Sequence, residues 1–221
     1  MYAINQSFKI ETIFNKKTKY PRPSDHIKNS SAKKPKYPRR SEPFDSVSTV
    51  EGKSHFSLDK YWRPKKYVQN EFELIKNGKV VADHATGLMW QQGGSGECIK
   101  YYDALKYVKH LNSNDFSGFT DWRMPTVDEL TSLLTRYEQK DNHCWNIDPL
   151  FASNQRSNWS WIKAFLFDSS FHSYQGSCWS SDKASMEEKV WIVYFQNAGV
   201  FCSATASSDD LACVRVVRAG Q

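Results

Sequence analysis

The sequence has no apolar run approaching the roughly twenty residues of a membrane-spanning helix, and none of secretory length near its start. The expected location is therefore the cytoplasm, with no insertion into a membrane. No glycine-rich phosphate loop, serine nucleophile elbow or internal repeat occurs, which removes the usual signatures of nucleotide hydrolases, α/β-hydrolases and solenoids. Cysteine is sparse: five residues, an odd number without regular spacing, speak against a disulfide framework. The six histidines, including His143 beside Cys144, show no metal-ligand spacing. No metal and no cofactor is expected.

What the chain does have is charge in one place. Residues 1–50 hold eleven Lys or Arg against four Asp or Glu, whereas the remainder holds nineteen against twenty, so the whole excess behind the net charge of +6 lies at the N-terminal end. Lys16, Lys17, Lys33, Lys34, Lys36, Arg39 and Arg40 alternate there with Pro21, Pro23, Pro35, Pro38 and Pro43. Prolines and like charges oppose both helix and core, so an extended basic arm over residues 1–65 is expected, followed by a folded domain over residues 66–221. Such an arm suits a protein assembly, nucleic-acid phosphates contacted through residues 1–50, or anionic lipid.

Local patterns in the domain point to an α+β fold. Phe72–Ile75 and Val80–Ala82 flank Asn77-Gly78, a hairpin signal. Ile99, Tyr102, Leu105, Val108 and Leu111 recur at three-residue steps and predict a helix. Pro125-Thr126 with Glu129 forms a capping box opening a second helix near Val127, whose stripe is Val127, Leu130, Leu133, Leu134 and Tyr137. Period-two alternation over Val190–Phe195, the turn Asn197-Ala198-Gly199, and the apolar runs Val200–Cys202 and Cys213–Arg218 supply further strands. These are apolar on both faces, as in a sheet covered by other layers.

Several landmarks resemble one family in the same order. They are Thr86-Gly87-Leu88-Met89-Trp90-Gln91, the helix through Ala104 and Leu111-Asn112, Gly118, Asp121-Trp122-Arg123-Met124-Pro125-Thr126 with Glu129-Leu130, Ile147-Asp148-Pro149-Leu150-Phe151, Cys178-Trp179-Ser180-Ser181 and Cys213-Val214-Arg215. Over about residues 70–218 the chain resembles the Lcl C-terminal family, long catalogued as a domain of unknown function. The resemblance implies a C-type lectin-like fold, related to that of the formylglycine-generating enzymes: two helices packed on a mainly antiparallel sheet, presenting a loop-rich binding face. It implies no reaction, because that scaffold hosts binders and oxidases alike. The Glu-Pro-Asn, Gln-Pro-Asp and Trp-Asn-Asp strings of calcium-dependent lectins are missing, so a lectin-type calcium site is not expected.

Asp121 and Arg123 flank Trp122 and are expected to bond to backbone groups and to each other. The stretch from Asp148 to Trp179 is rich in aromatics mixed with serine and asparagine, the composition of a recognition surface. The resulting expectation is a non-enzymatic recognition or assembly module for a protein or glycan. Its candidate ligand residues are Trp159, Trp161 and Trp191 as aromatic anchors, and Asp182, Asn197 and Asp209 as hydrogen-bonding partners, with the basic arm as a tether to a larger complex. Two alternatives remain: a copper-dependent oxidase of the formylglycine-generating type, needing a reactive pair among Cys178, Cys202 and Cys213, and an accessory subunit gripping nucleic acid through the arm.

Overall fold

Asn77-Gly78 does turn the chain back on itself. Strand β1 (Phe72–Ile75) pairs antiparallel with β2 (Val80–Asp83), with Phe72 opposite Asp83 and Ile75 opposite Val80. Asn77 (φ 54°) and Gly78 (φ 79°) take left-handed torsions that this dipeptide supplies at little cost. The connection is longer than a two-residue turn, because one 3-10 turn spans Lys76–Gly78. β2 pairs with β3 (Leu88–Gln91), and β3 with β7 (Val217–Ala219), giving the order β1-β2-β3-β7. A second antiparallel sheet joins β4 (Ser177–Lys183), β5 (Lys189–Tyr194) and β6 (Gly199–Ala204) in chain order. The architecture is mixed α+β with two antiparallel sheets. Our computed structural model describes residues 34–136, 146–151, 176–186, 188–204 and 210–220. All fall in the unit Ala32–Gln221, which is distinct from Met1–Ser31.

Alternation along β5 explains why its residues are apolar on both faces. Trp191, Val193 and the following Phe195 enter one core cluster with Trp90, Leu130 and Leu134, while Val190 and Ile192 enter another with Trp122, Trp179 and Val216. The strand expected from Cys213 onward is regular only over Val217–Ala219. Upstream, single bridges Ile99↔Ala212 and Cys178↔Cys213 hold the chain instead.

Helix α3 (Val127–Ser132) opens with the expected capping box: Thr126 accepts from the Glu129 amide, and the Glu129 carboxylate accepts from the Thr126 amide. Val127, Leu130, Leu133 and Leu134 are buried as expected, and so is Glu129, held by Arg123. Tyr137 lies outside the described residues. Helix α2 (Tyr101–Ser113) forms where the spacing placed it, but it buries Tyr101, Ala104 and Leu111 and leaves Tyr102 54% and Leu105 43% exposed. Each three-residue step falls about 60° short of a full turn, so a line drawn at that interval drifts off the buried face.

The largest departure concerns the arm. Residues 40–65, grouped with it on composition, are built into the domain, so the division at 65/66 is not a structural boundary. Val47 bridges Ala184 in parallel, with Val47 N donating to Lys183 O (3.1 Å) and Ser185 N to Val47 O (3.0 Å), which extends the sheet beyond β4. A short helix α1 (Gly52–His55) follows, and Phe56 and Leu58 are buried in the first core cluster. Charge averaging over the arm conceals these few well-placed apolar residues. Deleting residues 1–50 is therefore expected to lower the unfolding midpoint well below that of a chain lacking only residues 1–31; thermal denaturation of the two truncations side by side checks this.

Candidate functional site

A cleft of about 670 Å³ opens between α2, the segment Trp122–Met124 and the incoming chain at Ser41 and Pro43. Its apolar floor comes from Leu105 and Val108 of α2, together with Trp122, Met124 and Pro43. Leu105 belongs to the helix line that left the core, so its exposure has a place in the structure.

Each wall is fixed by bonds of its own. Asn112 holds the Trp122 backbone on both sides, donating from Nδ2 to the carbonyl and accepting at Oδ1 from the amide, both 2.8 Å. The Trp122 ring donates from Nε1 to Phe116 O (3.0 Å) and meets Phe116 and Phe119 edge-on. Arg123 forks onto buried Glu129 at 2.7 and 2.5 Å, while Asp121 pairs with Arg218 at 2.6 Å. Both residues are thus structural as expected, but their partners are Glu129 and Arg218 rather than each other. The Arg218 guanidinium beside Asp121 holds that carboxyl below its ordinary range. The third wall hangs on Arg40, which donates from Nη1 and Nη2 to Asp182 (2.9 Å each) and from Nε to Asp128 (2.7 Å). Despite that partner, burial pushes the Asp128 carboxyl up.

The polar rim of the cleft is Ser41, Lys109, Asn112, Ser113, Arg123 and Ser181. Among these described residues no carboxylate, imidazole or thiol could serve a serine as base. Lys109 brings a positive charge to the rim, whereas that of Arg123 is matched by Glu129; the rim suits a ligand with an apolar body and acceptor groups at its edge.

Of the ligand residues proposed from sequence, Asp182, Trp191 and Asn197 are among the described residues. Trp159, Trp161 and Asp209 lie outside the described residues, as do Lys16, Lys17 and Lys33. Asp182 is 0% exposed, and protein groups fill its acceptors: Arg40 twice, Phe44 N (2.7 Å) and Val127 N (2.7 Å). Trp191 is equally buried, stacked on Trp62 at 5.7 Å and edge-on to Phe56 at 5.2 Å. Both are closed off from solvent. Asn197 is exposed in the β5–β6 turn, where its Oδ1 accepts from Gly199 N and its carbonyl from Arg63 Nε. Exposed Tyr61 and Phe201 sit in the segments that meet there. Of the arm residues, Lys34 and Lys36 are exposed and Arg39 is half-buried, whereas Arg40 serves the fold.

A second concentration of chemistry was only partly visible in the sequence. Cys213, one of the three cysteines singled out there, lies with its Sγ 2.9 Å from that of Cys98, which was not, and Cys178 is its backbone neighbour. Burial pushes the Cys178 thiol up to about 12. The hydrogen bond from Cys98 holds Cys213 below the usual thiol value despite burial, with help from Arg215, and drives Cys98 far above it. Cys202 lies on β6 and is raised by burial. Among the described residues no group of three or more His, Cys, Asp or Glu side chains could hold a metal ion.

The model of the Lcl C-terminal domain matches residues 79–218, and the chain belongs to that family. Comparison with curated proteins finds no match.

Proposed function

We propose that this protein is a non-enzymatic recognition module of C-type lectin-like type. Its ligand, a protein or a glycan, docks in the cleft between α2 and Trp122–Met124. The observation that carries this reading is an open, apolar-floored cleft of ligand size whose rim offers donors and the charge of Lys109 without an acid–base pair. The landmarks shared with the family and the two principal helices beside antiparallel sheets support the lectin-like reading. The basic residues ahead of the domain act as a tether to a larger assembly.

Leu105 and Val108 test the site: Leu105 is exposed, and Val108 is partly buried at the edge of the second core cluster. Leu105→Glu and Val108→Glu should each leave the unfolding midpoint within a few degrees of the parent while weakening capture of the ligand about tenfold or more, the scale of an interface anchor. Capture from a lysate of the source cells, quantified by mass spectrometry, provides the measurement. Undiminished capture by both variants would move the site elsewhere.

A copper-dependent oxidase stays the second reading because two thiols do converge, at Cys98 and Cys213. A copper ion bonded to both sulfurs and lying between them would hold them well beyond the 2.9 Å separation found. Copper-loaded protein is expected to consume no oxygen in the presence of peptide thiols. Turnover that disappears in Cys213→Ser would establish the oxidase instead.

A further inference from the structure

The two chain segments that carry Cys98 and Cys213 are sewn together on both sides of the sulfurs. Ile99 N donates to Ala212 O (3.0 Å) and Ala212 N to Ile99 O (3.2 Å), while Ser95 N donates to Val214 O (2.8 Å) and Val214 N to Ser95 Oγ (3.0 Å). Between these bonds the sulfurs are 2.9 Å apart, although 115 positions separate them in the chain. A disulfide needs about 2.0 Å between its sulfurs, so backbone pairing has already done most of the positioning. Beside them Arg215 is tied to Gln91 O (2.8 Å) and Phe151 O (3.1 Å) and stacks on Phe151. The ionisable groups that face this cation are the Cys178 and Cys213 thiols and the Tyr107 phenol, which favours negative charge on sulfur.

We infer that Cys98 and Cys213 form a redox-active dithiol that closes to a disulfide by exchange with a small-molecule disulfide, locking residues 95–99 onto residues 212–214. The Cys213 thiolate attacks one sulfur of the oxidant, forming a mixed disulfide and expelling one small thiolate. Cys98 then gives up its proton to solvent and attacks the Cys213 sulfur, expelling the second. The pair loses two electrons and two protons in all, and one small disulfide becomes two thiols. Cys178 stays reduced because it is buried, whereas Cys98 and Cys213 are partly exposed. The inference stands independently of the recognition reading.

The test equilibrates the full chain in glutathione buffers of rising oxidised fraction, quenches with an alkylating reagent, and reads intact mass and non-reduced peptides. The expected first product carries two fewer alkyl groups than the fully reduced protein quenched in the same way, links the Cys98 peptide to the Cys213 peptide, and reverts on adding reductant. Cys98→Ser and Cys213→Ser should each abolish the link, and Cys178→Ala should retain it. Complete alkylation of both thiols under strongly oxidising buffer, or a first disulfide that includes Cys144, Cys178 or Cys202, would overturn the inference. The unsubstituted protein carries the decisive readout, so poor folding of a variant does not blunt the test.

Discussion

Asp182→Ala is expected to destabilise the domain by about 3–5 kcal/mol, the cost of breaking a buried charge pair while leaving its partner behind. That corresponds to a fall of roughly 6–20 °C in unfolding midpoint for a domain of this size. The carboxylate is fully buried and joins three segments: Arg40 and Phe44 of the incoming chain, Val127 at the start of α3, and its own strand β4. Its loss orphans two backbone amides and removes two bonds from the guanidinium. Arg40 keeps Asp128 as a partner and is 23% exposed at its side chain, which places the effect toward the lower end. Arg40→Ala combined with Asp182→Ala should cost less than the sum of the single changes, because each removes the same contact. Chemical denaturation of the four proteins in the cycle measures this directly. A near-normal midpoint for Asp182→Ala accompanied by lost ligand capture would return Asp182 to the ligand-binding role first expected of it.

Trp191→Ala should cost a similar 3–5 kcal/mol by opening a cavity in the core. The ring lies between Phe56 and Trp62, and Gly52 is packed so closely that a Cβ there would come within 2.6 Å of it. Trp62 occupies a left-handed backbone position, φ 64°, an unfavourable one for a bulky residue. It holds that position through the stack on Trp191 and through its carbonyl, which accepts from Val200 N at 3.0 Å. Losing the Trp191 ring should therefore release the segment around residues 57–65 first, visible as faster amide exchange there than in β2 and β3. Trp191→Phe should be markedly milder, because the indole Nε1 has no hydrogen-bond partner among the described residues. Equal protection of the 57–65 segment in Trp191→Ala would contradict this packing account.

Both substitutions fall on residues that look like binding residues when read along the chain. An aspartate after Trp-Ser-Ser and a tryptophan in an alternating strand carry no sign of whether they face solvent. Asp182 found its cation 142 positions away, and no local rule reports such a pairing. The same holds for Cys98 and Cys213. Signals that close within one turn were readable: the Thr126–Glu129 box, the Asn77-Gly78 reversal and the two-faced β5 all rest on neighbours a few residues apart. The helix over residues 101–113 was readable as an element but not as a face, because three-residue spacing cannot separate a buried stripe from one that slides outward. That drift concealed the cleft, although exposed Leu105 was already part of the pattern. In the basic arm, average charge outweighed Phe44, Val47, Phe56 and Leu58, four apolar residues that suffice to bring residues 44–58 into the core.

The most direct test of the account is quantitative affinity capture with the full chain and a Leu105→Glu/Val108→Glu double variant, both first shown to unfold at similar temperatures. A ligand retained by the parent, released unchanged, and lost by the double variant is the predicted result. The same ligand held equally by both proteins, or recovered as a chemically altered product, would contradict a recognition role for the α2 cleft.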